Sequence, residues 1–336
     1  MHDTAMMLAD IWFSLLSLFL FIYVVLDGFD LGVGILSLAA GEEWRQDVMM
    51  TSLGSTWNAN GTWLVLLGGA MFGAMPLAYS LALNALYIPL VLMLFGLVFR
   101  AVAFEFRELA EKKRVWDLAF GLGSLFAALA QGLVLGGVLS GISVRNNAFA
   151  GGQWDWLNPF SLMVALGVVA GYALLGASYL IIKTMGEVQE WSFRQARRAG
   201  WLTMAAGGAV TAATTSVFPF VAGKWFSASG IILFGGIAAL ALASFFLLFR
   251  ALTLRRESAP LLLSFAIFTA SFLGLVISLH PYVLPPHVTV YGASAAPATL
   301  VFMLAGIGML IPIMLFYNAH QYLVFRGKVR KGRYGE

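Results

Sequence analysis

IWFSLLSLFLFIYVVLDGFDLGVGIL, residues 11–36, decides what kind of molecule this is. Its first sixteen residues carry no charge, most of the ~20 apolar residues a helix needs to cross a bilayer. Two acids, Asp27 and Asp30, then arrive with more apolar sequence behind them. Three residues apart, they share one helical face. Gly28 and Gly32 form a GxxxG pair, and Gly34 continues a small face against which another helix can pack closely. If the helix stopped at the acids and left them in water, LGVGILSLAA would be an apolar loop of ten residues. A spanning helix that carries its carboxylates inward is the better reading, because ionisable groups in a span face a bundle interior or a water-filled path.

The rest of the chain agrees. Of 336 residues 60% are hydrophobic and 11% charged, and the mean hydropathy is +0.87, which excludes an ordinary soluble globular protein. Apolar stretches of span length fall at 11–40, 51–75, 78–103, 117–141, 158–182, 200–222, 229–250, 259–280 and 296–324. The expectation is an all-α integral membrane protein of nine transmembrane helices, a single polytopic membrane domain over 1–336. Its loops are under about 20 residues, so its chemistry lies in the bilayer or at its edges. MHDTAMMLAD carries acid where a cleavable leader carries base, so the first span is expected to be retained.

The net charge of +4 is an orientation signal. With nine spans, eighteen of the twenty Lys and Arg fall on one face, from Arg45 through Arg100, Arg107, Lys183 and Arg250 to the tail Arg326, Lys328, Arg330, Lys331 and Arg333. Only Arg145 and Lys224 fall on the other. The basic face is cytoplasmic by the positive-inside rule, which puts the N-terminus outside and the C-terminus inside. Basicity arranged this way says nothing about nucleic acid.

Few polar groups interrupt the spans. TWNANGTWLVLLGG in the second places Asn60 three residues from both Trp57 and Trp63, with Asn58 and Thr62 on another face; amides there serve as interhelical hydrogen bonds or as part of a transport path. LVFRAVAFEFR closes the third span with Arg100, which either snorkels to headgroups or neutralises a buried acid. Glu105 follows at the edge, where water can reach a proton-exchanging carboxylate. Arg107 with Glu111 and Glu108 with Lys112 read as a solvated helical extension. Cysteine is absent, and the four histidines stand at 2, 280, 287 and 320, none paired at mid-membrane, so no haem or metal ligation by this chain is expected. GFDLGVG lacks strand context and is no nucleotide fingerprint.

FIYVVLDGFDLGVGIL, TWNANGTWLVLLGGAMFGAMPLAYS and LYIPLVLMLFGLVFRAVAFEFR followed by WD resemble, in content and order, subunit II of the cytochrome bd-type quinol oxidases, in the cyanide-insensitive branch. LNPF at 157–160, YALLGASYLIIKT at 172–184 and the basic tail fit the same family. The resemblance implies a haem-free chain of nine helices in the bacterial inner membrane, paired with a subunit I that holds two b-type haems, haem d and the quinol-oxidising loop. It further implies support of haem-site assembly, a cytoplasmic proton path at the subunit interface, a structurally held quinone, and room for a small single-span accessory subunit. The complex would reduce dioxygen to water without pumping. On this reading Asp27, Asp30, Asn58, Glu105 and Arg100 belong to the proton path or interface, and Gly28, Gly32, Gly34, Trp57, Asn60 and Trp63 to interface packing and hydrogen bonding.

The family's second-span motif is Trp-Asp-x-Asn followed by Glu or Gln; here Asn58 and Gly61 stand instead. An amide cannot take up and release a proton. Either the path runs through Asp27, Asp30, Glu105 and ordered water with Asn58 as a hydrogen-bonding station, or it is weakened and another serves. Two rivals are an ion-coupled secondary transporter using Asp27 and Asp30, which predicts a helix broken at the glycines, and a variant subunit kept for assembly alone.

Overall fold

The structure is a computed structural model that describes residues 2–54, 56–324 and 326–329. Arg330, Lys331 and Arg333 of the basic tail, and the side chain of His2, lie outside the described residues. The long helices are α1 (His2–Ser37), α3 (Thr56–Ala74), α4 (Pro76–Phe106), α5 (Lys113–Ser140), α6 (Pro159–Lys183), α7 (Gly186–Val217), α9 (Ala228–Thr253), α10 (Ala259–Leu279) and α12 (Pro297–Val324). Short helices α2 (Glu43–Leu53), α8 (Pro219–Trp225) and α11 (Val290–Ala293) join them. Two small antiparallel hairpins, β1 (Val144–Arg145) with β2 (Ala148–Phe149) and β3 (Tyr282–Leu284) with β4 (Val288–Thr289), close loops.

Among the described residues seven helices, α1, α4, α5, α6, α9, α10 and α12, are long and apolar enough to cross a membrane, or eight if α7 and α8 form one bent span. The second expected span corresponds to α3, whose opening TWNANGTW dilutes its apolar content. At ~1.5 Å per residue its 19 residues still reach about 28 Å, close to the thickness of a hydrocarbon core. Three boundaries depart from the sequence reading. The stretch 51–75 is interrupted at Gly54, whose φ of 55° ends α2 before α3 begins. GEVQEWSFRQARR, residues 186–198 between the apolar stretches 158–182 and 200–222, forms the first turns of α7. Pro219 then stops that helix, and α8 leaves it at 107° because a proline cannot continue the hydrogen-bond ladder.

Helix α1 is the centre of the packing. It lies against α3, α5 and α6, while α4, α5, α6 and α7 pack one against the next. Its glycine seam explains the proximity. A Cβ on Gly32 would stand 1.8 Å from the Tyr172 carbonyl oxygen, and one on Gly34 would stand 2.0 Å from Ser124 Oγ. The partner glycine on α6, Gly176, faces Gly32 backbone to backbone. With no hydrophobic drive between helices in lipid, such close van der Waals contact is what holds a bundle. In α4, Leu86 departs from helical geometry three residues before Pro89, which removes an amide hydrogen and crowds the preceding turn. Buried apolar side chains form two main clusters, one around Phe29, Tyr172 and Trp191 and one around Trp12, Phe19 and Trp63.

Gly32→Ala should therefore force α1 from α6 and cost about 1–3 kcal/mol or more, seen as a lower melting temperature of the purified assembly. Gly61→Ala has nothing within 4 Å of its new methyl and should leave the melting temperature unchanged.

Candidate functional site: a buried carboxylate pair and its arginine

Because α1 runs unbroken through DGFDLGVG, Asp27 and Asp30 remain on its inward face, 1% and 0% exposed. From α4, Arg100 reaches in at 5% exposure and places Nη2 2.7 Å from Asp27 Oδ1. This is an ion pair in a low-dielectric interior, where removal of one partner is far costlier than removal of both. The alternative open to Arg100 in the sequence, snorkelling to headgroups, is not what it does.

Asp30, one turn further along α1, meets a different partner. Asn60 of α3, fully buried, donates from Nδ2 to Asp30 Oδ2 at 2.8 Å and to the Leu26 carbonyl at 3.3 Å. The amide oxygen of Asn60 in turn accepts from the Tyr322 hydroxyl of α12 at 2.9 Å. Asp30 thus sits on a chain of neutral donors and Asp27 on a cation. Among the described residues Asp27 Oδ2, Asp30 Oδ1, Arg100 Nε and Arg100 Nη1 are buried without a hydrogen bond; groups of this kind are satisfied by ordered water or a further partner.

A polar branch that the sequence reading missed approaches the same place. Tyr172 of α6 donates to Gln131 Oε1 of α5 at 2.6 Å, and Gln131 Nε2 donates to the Tyr23 hydroxyl at 2.7 Å. Tyr23 is one turn before Asp27 on α1, the i,i+4 neighbour. Gln131, an amide in an otherwise apolar span, was the one available signal.

The other candidates scatter. Trp57 packs against Phe104, ring centroids 5.5 Å apart, beside a small recess lined by Leu53, Arg100 and Phe120. Trp63 is buried against Phe19 at 6.2 Å. Gly28, Gly32 and Gly34 are covered from within the chain, Gly28 and Gly32 by Tyr172 and Gly34 by Ser124. Asn58 is exposed on α3, on the side away from Asn60. Glu105 is exposed on the last turn of α4 and is not brought to the buried acids.

Arg107 corrects the sequence reading. Helix α4 ends at Phe106, so the expected helical extension with Glu111 does not form. Arg107 is instead 5% exposed, donating from Nε to Asp117 Oδ1 and from Nη1 to Asp47 Oδ1, each at 2.5 Å, and Lys113 stands 3.6 Å from the same Asp47. Burial works against its charge, but the hydrogen bonds and fields of the two carboxylates outweigh it and hold its pKa above the ordinary value. The cluster ties α2, α4 and α5 together at the basic end of the bundle. Its legible signal was an acid, Asp117, at the head of the apolar stretch 117–141.

The histidines with described side chains stand apart from this centre. His280 pairs with Asp10 at 3.1 Å, His287 is exposed, and His320 lies 6.4 Å from the Phe316 ring. The donor set of the buried centre does not fit haem ligation. Among the described residues no three His, Asp or Glu side chains are grouped to hold a metal ion.

Comparison with known proteins gives a consistent set of relatives. A family model described as cytochrome bd terminal oxidase subunit II matches residues 8–325. Cytochrome bd-I ubiquinol oxidase subunit 2 of Escherichia coli strain K12 is 28% identical over 96% of this chain and 95% of its own length. Cytochrome bd ubiquinol oxidase subunit 2 of Bacillus subtilis strain 168 is 31% identical over 57% of this chain and 58% of its own. In a solved structure of the bd oxidase from Geobacillus thermodenitrificans, one chain superimposes with a TM-score of 0.77 at 22% identity, covering 96% of this chain and all of that one, a likeness of fold.

Replacing Arg100 with Met should leave a buried carboxylate unpaired and cost about 3–5 kcal/mol. The double variant Arg100→Met/Asp27→Asn should recover most of that loss in thermal melting of the complex.

Proposed function

The chain belongs to the cytochrome bd terminal oxidase subunit II family, and from that premise we propose that it is the haem-free subunit that steadies the haem sites of subunit I and delivers cytoplasmic protons toward them. As a family member it is a component of a bd-type quinol oxidase, an oxidoreductase complex, and a multi-pass protein of the bacterial inner membrane. The finer reading comprises one polytopic domain of nine spans, α3 and the bent α7–α8 pair included, with the N-terminus outside and the C-terminus in the cytoplasm. Subunit I carries two b-type haems and haem d, and the complex reduces dioxygen to water without pumping. A structural quinone and a single-span accessory chain are companions on the same reading.

One observation carries the proton assignment: two acids a turn apart have opposite environments. Asp27 faces the Arg100 guanidinium, while Asp30 faces the neutral Asn60 amide; each acid keeps its second oxygen without a hydrogen bond among the described residues. In this division Asp27 stays with its arginine and shapes the site. Asp30 is the group that takes and releases the proton, oriented by Asn60 and Tyr322. Glu105 is the entry carboxylate at the cytoplasmic edge and Asn58 a hydrogen-bonding station on the face of α3 turned toward subunit I, with ordered water between them. The electron transfer and oxygen chemistry at the haems belong to subunit I; the side chains of this chain carry protons toward them.

The transporter alternative requires α1 to break at its glycines. That helix is continuous from His2 to Ser37, and its glycine faces are filled by α5 and α6, which favours the oxidase reading.

Oxygen consumption by membranes carrying Asp30→Asn should fall by about tenfold or more with the complex still assembled, whereas Asn58→Asp should retain turnover. Wild-type turnover in Asp30→Asn would remove the proton role from Asp30.

A further inference from the structure

The basic end of α7 and α9 carries a group of exposed arginines. Arg194, Arg197 and Arg198 are exposed on α7, spaced three and four residues apart so that they share one side of the helix. Arg250 is exposed on the neighbouring α9. The two helices are locked at this level: Trp201 stacks on Phe249 with ring centroids 4.4 Å apart, and Arg197 Nη2 donates to Thr253 Oγ1 at 3.1 Å. Arg197 thus meets α9 directly, and exposed Arg194, Arg198 and Arg250 lie within a turn of that contact on their own helices.

Nearby acids are already engaged. Glu187 stands 3.5 Å from Arg45, Glu190 is 2.8 Å from Arg255, and Glu257 is 2.8 Å from Lys328. No acid occurs in α7 beyond Glu190 or anywhere in α9. Among the described residues none of the four arginines has an ion pair. Immediately on the apolar side lie Trp201, Leu202, Phe246 and Leu247, all exposed, at 54%, 62%, 68% and 45%. Arginines above, a tryptophan at their level and bare aliphatic and aromatic side chains beneath match a phospholipid in order: phosphate, glycerol region, acyl chains.

We propose that this surface binds a phospholipid of the same leaflet that carries two phosphates. The guanidinium fork is suited to phosphate oxygens. Four such forks distributed over two helices exceed what a single phosphate can occupy, and a headgroup with two phosphates spans them. The occupant is a lipid, not a free anion, because the apolar apron continues the site toward the membrane interior. The assignment is independent of the buried carboxylates and of the proton path.

The test is native mass spectrometry of the delipidated oxidase complex, titrated separately with diphosphatidylglycerol, phosphatidylglycerol and phosphatidylcholine. The wild-type complex should bind the two-phosphate lipid at least about tenfold more tightly than the one-phosphate lipid. Arg197→Gln/Arg198→Gln/Arg250→Gln should weaken that binding by roughly a hundredfold, and Lys112→Gln/Arg114→Gln, on another basic stretch, should not alter it. If the triple variant does not assemble, Arg198→Gln/Arg250→Gln, which removes no intrachain hydrogen bond, should still show about a tenfold loss. Equal binding by wild type and variants, or equal affinity for one- and two-phosphate lipids, would overturn the proposal.

Discussion

The ion pair between Asp27 and Arg100 is the constraint on which the bundle is arranged. A carboxylate and a guanidinium 2.7 Å apart and almost wholly buried are tolerable inside a membrane protein only in a tight, well-partnered site in the bundle interior. That condition reaches outward through the structure. Helix α1 must stay helical through the face that carries Gly28, Gly32 and Gly34 to keep both acids inward. Helices α5 and α6 must come close enough to seal that face, which Gly32, Gly34 and Gly176 permit. Helix α4 must run long enough past its kink at Leu86 to deliver Arg100 to the level of Asp27.

Placing a second acid one turn from the first adds a functional distinction to a structural one. Two carboxylates in one apolar site repel unless their environments differ. Here the difference is built from three helices: α4 supplies a cation to Asp27, while α3 and α12 supply Asn60 and Tyr322 to Asp30. The proton path proposed for this subunit follows from that asymmetry and does not need the carboxylate that Asn58 replaces. It also accounts for the indifference of the fold to the substitution, since Asn58 is exposed on α3 and the neighbouring Gly61 has open space around it.

How much of this was legible depends on whether an interaction is local in sequence. The Asp27/Asp30 spacing, the glycine seam and the shared face of Trp57, Asn60 and Trp63 are helical periodicities, so they can be read from the chain. The family likeness extended that reading to a partner and a complex. Arg100 could be read as a buried partner or a snorkelling one, and only the packing decided. Tyr322 lies 262 residues from Asn60 and Tyr172 41 from Gln131; nothing in either neighbourhood announces the contact. Arg107 misled for the converse reason, because its i,i+4 acid, Glu111, suggested a solvated helix while its partners, Asp47 and Asp117, come from other helices. Likewise, the polar turns opening α7 have the composition of a loop and become helical on the bundle's basic face.

The central claim is that this chain, without haem ligands of its own, is completed by a haem-bearing partner. The most direct measurement is affinity isolation of the tagged chain from its native membrane, followed by protein stoichiometry and a reduced-minus-oxidised spectrum. The account predicts one haem-bearing membrane chain per copy of this one, with haem absorbance that vanishes when this chain is expressed alone. Isolation without such a partner, or haem retained by the lone chain, would contradict it.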